Sequence, residues 1–329
     1  MDKKNQIVVS VVIPVFNGAS RIESCLNSLL SQNFNEEYEI IIVDDGSSDN
    51  LKDVISGYPD VSYVFQANAG PGVARNHGAS LAKGEFLLFT DDDCVPVSNW
   101  ISLMVTGLRS GNQISGVKGA YLTNQDSLVS RFVQLEYEDK YDVMKKFEYI
   151  DFIDTYSAGF KKSIFMEFGG YDSQYTTACA EDVDLSYRMY EKGYKMLFIP
   201  QAIVYHLHPS SLWAYLKKKF KFAYWRVLAV KNSPSKVIRD THTPQIMKVQ
   251  LLIAPFILIS CLIWLVFDYG EVFAYGLSLA FMLLSLPFLL KSIMRDTKVA
   301  LISPFLLFMR SCSQFLGLLS GAIYFLRFK

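Results

Sequence analysis

Two uncharged apolar runs, Leu251 to Phe267 and Val272 to Leu290, limit this chain more than any other feature. Each approaches the roughly 20 residues that a helix needs to cross a bilayer. A buried core helix is the competing reading, and the length rule disfavours it. Asp268 and Glu271 lie between the runs, while Lys291, Arg295 and Lys298 follow the second. The positive-inside rule therefore puts the acidic loop outside and both flanks inside. Pro304 and Arg310 interrupt the last apolar segment. That predicts Val299 to Met309 in the membrane interface and leaves Ser311 to Leu326 either crossing or re-entering. Arg327 and Lys329 favour an inside end.

The rest of the 329 residues differ in character. Acidic and basic residues balance at 32 each, so no global field points to nucleic acid as a partner. The carboxylates crowd into the first two thirds, which implies a soluble part joined to a membrane part. The five cysteines are far apart and lack any CxxC pairing, which disfavours a disulfide framework or a zinc site and fits reduced thiols in a cytosolic domain. The apolar run from Ile7 to Phe16 holds Pro14 and leads into Asn17-Gly18, a turn signal instead of a cleavage site. The N-terminal domain is therefore expected in the cytoplasm.

Strands and helices alternate along that domain. Ile7 to Val15 reads as a buried strand, and Arg21 to Leu30 as a helix with Ser20 as its N-cap. Glu39 to Val43 and Ser62 to Gln66 read as strands, Pro71 to Ala82 as a helix, and Phe86 to Thr90 as a strand. Such alternation implies an α/β fold with a largely parallel sheet covered on both faces. Ligands bind beyond the carboxyl ends of such strands, where the polar clusters 44–49 and 91–93 fall. Between Ser98 and Pro200 the pattern is mixed, with helices near Trp100 to Arg109, Ser127 to Phe147 and Asp182 to Lys192. The predicted organisation is a catalytic domain over 1–230, a linker over 231–248 and a membrane domain over 249–329 with two to three helices. Within the first, Leu212 to Val230 is rich in Trp, Tyr, Phe, Lys and Arg and reads as an interfacial amphipathic helix.

Four clusters carry chemistry. Asp91, Asp92 and Asp93 follow an apolar strand, and three adjacent carboxylates repel until a hard cation relieves them. Mg²⁺ takes one or two carboxylates plus substrate phosphates, so a metal–diphosphate site is one reading and a solvated acidic turn the other. Asp44 and Asp45 end a strand where a carboxylate can accept from a nucleobase imide or a ribose hydroxyl; Ser48 or Asp49 caps the next helix. Glu181, Asp182 and Asp184 open a helix, either as charge capping or as a general base near an acceptor hydroxyl. No strong general acid is needed, because a metal-bound nucleoside diphosphate leaves readily. His206 and His208 follow a strand from Ala202 to Tyr205, and alternation sends both to one face. Either can add a nitrogen ligand or serve as a hydrogen-bonded structural residue. Arg75 suits phosphate binding by its planar fork, with a structural salt bridge as the alternative.

Together, the segments 11–17 (Val-Val-Ile-Pro-Val-Phe-Asn), 43–49 (Val-Asp-Asp-Gly-Ser-Ser-Asp), 70–76 (Gly-Pro-Gly-Val-Ala-Arg-Asn), 89–94 (Phe-Thr-Asp-Asp-Asp-Cys) and 181–185 (Glu-Asp-Val-Asp-Leu) resemble the family 2 glycosyltransferases of the GT-A fold. The resemblance runs from residue 8 to about 226 and is specific in order and spacing. It implies a Rossmann-like mixed sheet and an inverting transferase that uses a nucleotide sugar, commonly a UDP-sugar, with Mg²⁺ or Mn²⁺. Pro14, Phe16 and Asn17 would line the base and ribose pocket, and Asp44, with Asp45 beside it, would hold the base. Arg75 would support the nucleotide. Asp91 and Asp93 match the outer acids of the DxD motif, with Asp92 between them, and Asp93 is the better candidate for direct metal contact. Asp182 matches the expected base, and His206 a histidine often found near the metal. Cys179-Ala180 stands where the family often has Gly-Gly. The QxxRW motif of processive synthases is absent, which favours one sugar per encounter. A membrane-face enzyme acting on a lipid-linked or cell-surface glycan acceptor follows, with membrane lipids as partners. The alternatives are a nucleotide-sugar-binding membrane subunit without turnover and a processive polysaccharide synthase.

Overall fold

The computed structural model describes residues 6–177, 179–236 and 240–327. Lys329 and residues 237–239 of the expected linker lie outside the described residues.

The first half of the sheet follows the sequence pattern. β1 (Val9–Val15), α1 (Ile22–Leu30), β2 (Tyr38–Asp45), α2 (Leu51–Ser56), β3 (Val61–Gln66), α3 (Pro71–Leu81) and β4 (Phe86–Phe89) alternate along the chain. β1 pairs in parallel with β2 and β4, and β2 with β3. Every residue of β1 and β4 is buried, as expected for strands covered on both faces. α3 lies so close to β1 that a Cβ on Gly78 would come within 2.3 Å of Val12 Cγ1. α1 starts after Arg21, and among the described residues no side chain caps it, so Ser20 does not take the expected N-cap role.

The second half is not parallel throughout. β5 (Cys94–Pro96), α4 (Trp100–Arg109), β6 (Ile114–Leu122), α5 (Leu128–Met144), β7 (Ala158–Lys161), α6 (Lys162–Glu167), α7 (Glu181–Glu191) and β8 (Lys195–His206) follow. The strand order is β3-β2-β1-β4-β7-β6-β8-β5. β7 runs antiparallel to both β4 and β6, β8 is parallel to β6, and β5 is antiparallel to β8. The sheet is therefore mixed. β6 escaped the sequence reading because Gly116, Gly119 and Lys118 break its apolar pattern. Yet Gly116 and Gly119 sit against neighbouring groups too closely to admit a Cβ. β8 begins well before Ala202, and Pro200 falls where its pairing with β6 slips register, a place where a missing N–H is tolerated.

α8 (Leu212–Asn232), α9 (Gln245–Phe267), α10 (Glu271–Arg295) and α11 (Thr297–Arg327) complete the chain. The expected linker is short, since α8 runs to Asn232 and Pro244 immediately precedes α9. α11 is unbroken through Pro304 and Arg310, in place of two separate segments.

Two compact units form. One comprises Met1–Asn124, Met144–Leu207 and Asn232–Thr241 and holds the sheet. The other comprises Gln125–Val143, His208–Lys231 and His242–Lys329. In this second unit, α9, α10 and α11 are each long and apolar enough to cross a membrane. Large apolar side chains such as Leu265, Phe273 and Met294 are exposed on α9 and α10, as lipid-facing positions would be. α11 instead runs along α8 at matched intervals. Ser313 Oγ donates to Leu216 O at 2.8 Å, and a Cβ on Gly317 or Gly321 would meet Phe220 O or Tyr224 O within 2.4 Å. This small-xxx-small pair lets two backbones approach closely.

Candidate active site

The site is built in the sheet-bearing unit, from loops at the carboxyl ends of β1, β2 and β4 and from the start of α7. Pro14 is buried within β1. Phe16 then points outward, half exposed, and Asn17 adopts a left-handed φ of 50°. Asn17 stitches two loops together: its N–H donates to Ser47 Oγ at 2.9 Å, and its Oδ1 accepts from Ser48 N at 2.8 Å.

The two acids ending β2 have different surroundings. Asp44 accepts from Ser47 N at 2.8 Å and from the Tyr63 hydroxyl at 2.6 Å. Burial and this contact push the Tyr63 phenol up. Asp45 accepts from Gln66 Nε2, Ala69 N and Gly70 N at 2.8–2.9 Å and so fixes the entry to α3.

Arg75 on α3 is almost wholly buried and bridges two carboxylates. It donates to Asp91 Oδ1 at 2.6 Å and to Glu181 Oε1 at 3.2 Å. Glu181 Oε2 in turn accepts from Cys179 N at 2.8 Å. The structural salt bridge read as one alternative for Arg75 is therefore present, and it ties the loop after β4 to α7.

The three acids after β4 take three directions. Asp91 faces Arg75. Asp92 pairs with Arg21 at 2.7 Å, against Gly18, where a Cβ would collide with its Oδ2. Burial lifts the Asp92 carboxyl to about 6, although Arg21 pulls it down. Asp93 lies 3.3 Å from His206 Nδ1. Cys94 and His206 are cross-strand partners of β5 and β8, which brings the Cys94 thiol 3.7 Å from both Asp93 Oδ1 and His206 Nδ1. His206 also packs against Tyr156, with ring centroids 4.5 Å apart.

The acids opening α7 are likewise sorted. Glu181 serves Arg75. Asp184 accepts from Arg188 at 2.7 Å and from Asn232 at 3.2 Å. Asp182 keeps its carboxyl near its own turn, with Oδ1 accepting from Val183 N at 2.7 Å. Burial, then the like charges of Glu181 and Asp154, push the Asp182 carboxyl well above the ordinary range. Lys118, buried on β6 and paired with Asp154, adds a cation to this side of the site. Neither Lys118 nor Asp154 stood out in the sequence, because each is a single charge in a run without a motif.

Five carboxylates (Asp91, Asp92, Asp93, Glu181 and Asp182) thus gather around two guanidinium groups (Arg21 and Arg75). This excess of negative charge, with a histidine nitrogen among it, fits a divalent cation. Asp93 and His206 offer donor atoms already at ligand spacing, and Asp91 is the further acid of the motif.

His208 does not join them. β8 ends at His206, so alternation carries no further. In the helical unit, His208 Nε2 lies 3.1 Å from Gln134 Oε1, and its ring stacks on Tyr137 at 5.3 Å. It has the structural role.

Residues 10–169 match Glycosyl transferase family 2, and residues 91–320 match Glycosyl transferase family group 2. The second match alone covers well over half of the chain. The chain belongs to the family 2 glycosyltransferases. This glycosyltransferase is 24% identical over 277 residues to the chondroitin synthase of Pasteurella multocida, covering 69% of its own chain and 29% of that protein. It is 26% identical over 224 residues to the poly-β-1,6-N-acetyl-D-glucosamine synthase of Staphylococcus epidermidis, covering 65% and 53%. The chain thus spans about a third to a half of the length of these curated relatives. Its structure is similar to that of a mannosyltransferase from Pyrobaculum calidifontis in complex with GDP-Man and Mn²⁺. The TM-score is 0.61 at 16% identity, over 95% of this chain and 86% of that one. That likeness establishes the GT-A fold.

Proposed function

We propose that this glycosyltransferase moves one sugar per encounter, with inversion, from a nucleotide diphosphate sugar to an acceptor hydroxyl. The donor is a UDP-sugar, and the acceptor is a lipid-linked or cell-surface glycan met at the cytoplasmic face of the membrane. The observation that carries the reading is the placement of Asp182. Of the three acids opening α7, it alone is not committed to an arginine, and its neighbours raise its affinity for a proton.

Asp182 takes the proton of the acceptor hydroxyl as the sugar bond forms, which is the role of a positioned carboxylate base. Arg75 holds Asp91 and Glu181 in fixed positions, so the base and the acids after β4 keep their spacing. Phe16, Asn17 and Asp44 form the wall on which the nucleotide rests, with Pro14 packed beneath it in β1; Asp45 holds the loop behind it. Asp93 and His206 would hold a divalent cation, Mg²⁺ or Mn²⁺, with Asp91 the further acid of the motif beside Arg75, and its charge would offset that of the leaving diphosphate.

The test is release of nucleoside diphosphate by the detergent-purified protein across a panel of nucleotide sugars, with Mn²⁺, with Mg²⁺ and with chelator. Cation-dependent release from one donor, abolished by Asp182→Asn, is expected. Equal release by wild type and variant overturns the assignment of the base.

A further inference from the structure

Cys94 stands in the cation site without a part in the reading above. Its sulfur, the Asp93 carboxylate and the His206 ring form a triangle of three different donor types. The separations are 3.3 Å from His206 Nδ1 to Asp93 Oδ1 and 3.7 Å from Cys94 Sγ to each of the others. Backbone pairing of β5 with β8 places Cys94 opposite His206, and Asp93 is the residue before Cys94, in the turn that leads into β5.

These spacings accommodate tetrahedral coordination. Zinc bonds of about 2.0–2.1 Å to N and O and about 2.3 Å to S, set at tetrahedral angles, separate N from O by about 3.3 Å. The same angles separate S from either by about 3.6 Å. An octahedral Mg²⁺ with bonds of about 2.1 Å brings adjacent donors to about 3.0 Å. The triangle fits the tetrahedral set, and its sulfur is the donor that a hard cation does not use. We propose that Asp93, Cys94 and His206 form an O/S/N site for a thiophilic divalent cation of the Zn²⁺ or Cd²⁺ class.

On binding, the Cys94 thiol gives its proton to solvent and the thiolate bonds the cation. A hard cation such as Mg²⁺ leaves the sulfur alone, because soft thiolates select softer ions. Affinity for such a donor set rises from Mn²⁺ to Zn²⁺, so Zn²⁺ displaces Mn²⁺ at equal concentration. The proposal concerns binding alone and stands whether or not Asp182 is the base.

The experiment is a Cd²⁺ titration of the full-length protein in detergent, read by the sulfur-to-cadmium charge-transfer absorption in the ultraviolet. A single saturating band at one Cd²⁺ per chain is expected. It is lost in Cys94→Ser and kept in Cys25→Ser and Cys261→Ser. If Cys94→Ser does not fold, Asp93→Asn and His206→Gln, which retain the sulfur, decide the matter by weakening Cd²⁺ binding more than about 10-fold. No band in the wild type, a band surviving Cys94→Ser, or a band indifferent to both Asp93→Asn and His206→Gln overturns the proposal.

Discussion

Both units bury charge, and they do so in opposite ways. In the sheet-bearing unit, Asp91, Asp92, Asp93, Glu181 and Asp182 outnumber Arg21 and Arg75, and the Asp182 carboxyl is pushed up. In the helical unit one acid sits among several donors. Glu136 on α5 accepts from Arg310 at 2.8 Å, Lys219 at 2.9 Å and Tyr215 at 3.0 Å. Arg310 also donates to Gln250, and Gln250 to Ser285, so α5, α8, α9, α10 and α11 share one network. Burial alone would push Glu136 up, but Lys219 and Arg310 outweigh it and bring it down to about 2. A carboxylate surrounded by its complement is architecture. An excess of carboxylates is a site that asks for something from solution.

The sharpest break between the two is Asp182→Asn. Nucleotide-sugar turnover is expected to fall by about 10²–10⁴-fold, the usual worth of a positioned base. Its thermal melting curve should not fall, because a like charge has been removed. A large loss of stability would put Asp182 in the same class as Glu136.

The converse is Glu136→Ala. Removing one partner of a buried ion pair leaves Arg310 and Lys219 uncompensated, at a cost of about 3–5 kcal/mol. The readout is a lowered unfolding midpoint in detergent. A midpoint unchanged from wild type would show that the network closes without its carboxylate.

pH separates the units without mutation. Glu136 is held below its free value, so its contribution is present above about pH 4.5 and is lost as pH falls toward about 2. The loss is on the order of 3 kcal/mol. Asp182 has the opposite sign. It stays protonated to higher pH than a free carboxyl, so turnover rises with pH through its raised pKa, and ionising it lowers stability over that interval. Asp154→Asn removes one of the like charges and should move the acid limb of the rate profile to lower pH.

Two smaller effects set the scale. Gly317→Leu drives a side chain into the α8 backbone and is expected to cost about 1–3 kcal/mol, measured by thermal melting. Arg109→Ala removes an exposed pair with Glu36, whose bonds are 2.6 and 3.0 Å. Its expected cost of about 0.2–1 kcal/mol is the baseline against which the buried charges are judged.

The parallel half of the sheet was legible because its strands are short β-branched runs closed by turn residues, and α9 and α10 because few sequences hold such uncharged lengths. The acids after β2 and β4 and at the start of α7 were also visible, since each ends or opens an element. β6 and β7 were not, for their glycines and Lys118 make sense only against neighbours. The continuity of α11 was hidden as well. Arg310 reads as an interruption until Glu136, distant in sequence, supplies its partner.

Sequence order by itself determined the parallel-half elements, their alternation, the apolar helices α9 and α10 and the family, because local periodicity and short spacings survive without knowledge of contacts. Which acid serves which end was decided only by the tertiary structure. Asp45, Glu181 and Asp184 are spoken for by hydrogen bonds, while Asp93 and the neighbouring Cys94 thiol meet a histidine brought across on β8. The physical reason is that a charge acquires its role from what lies within a few ångströms of it, and that distance is set by chain reversal, not by spacing along the chain.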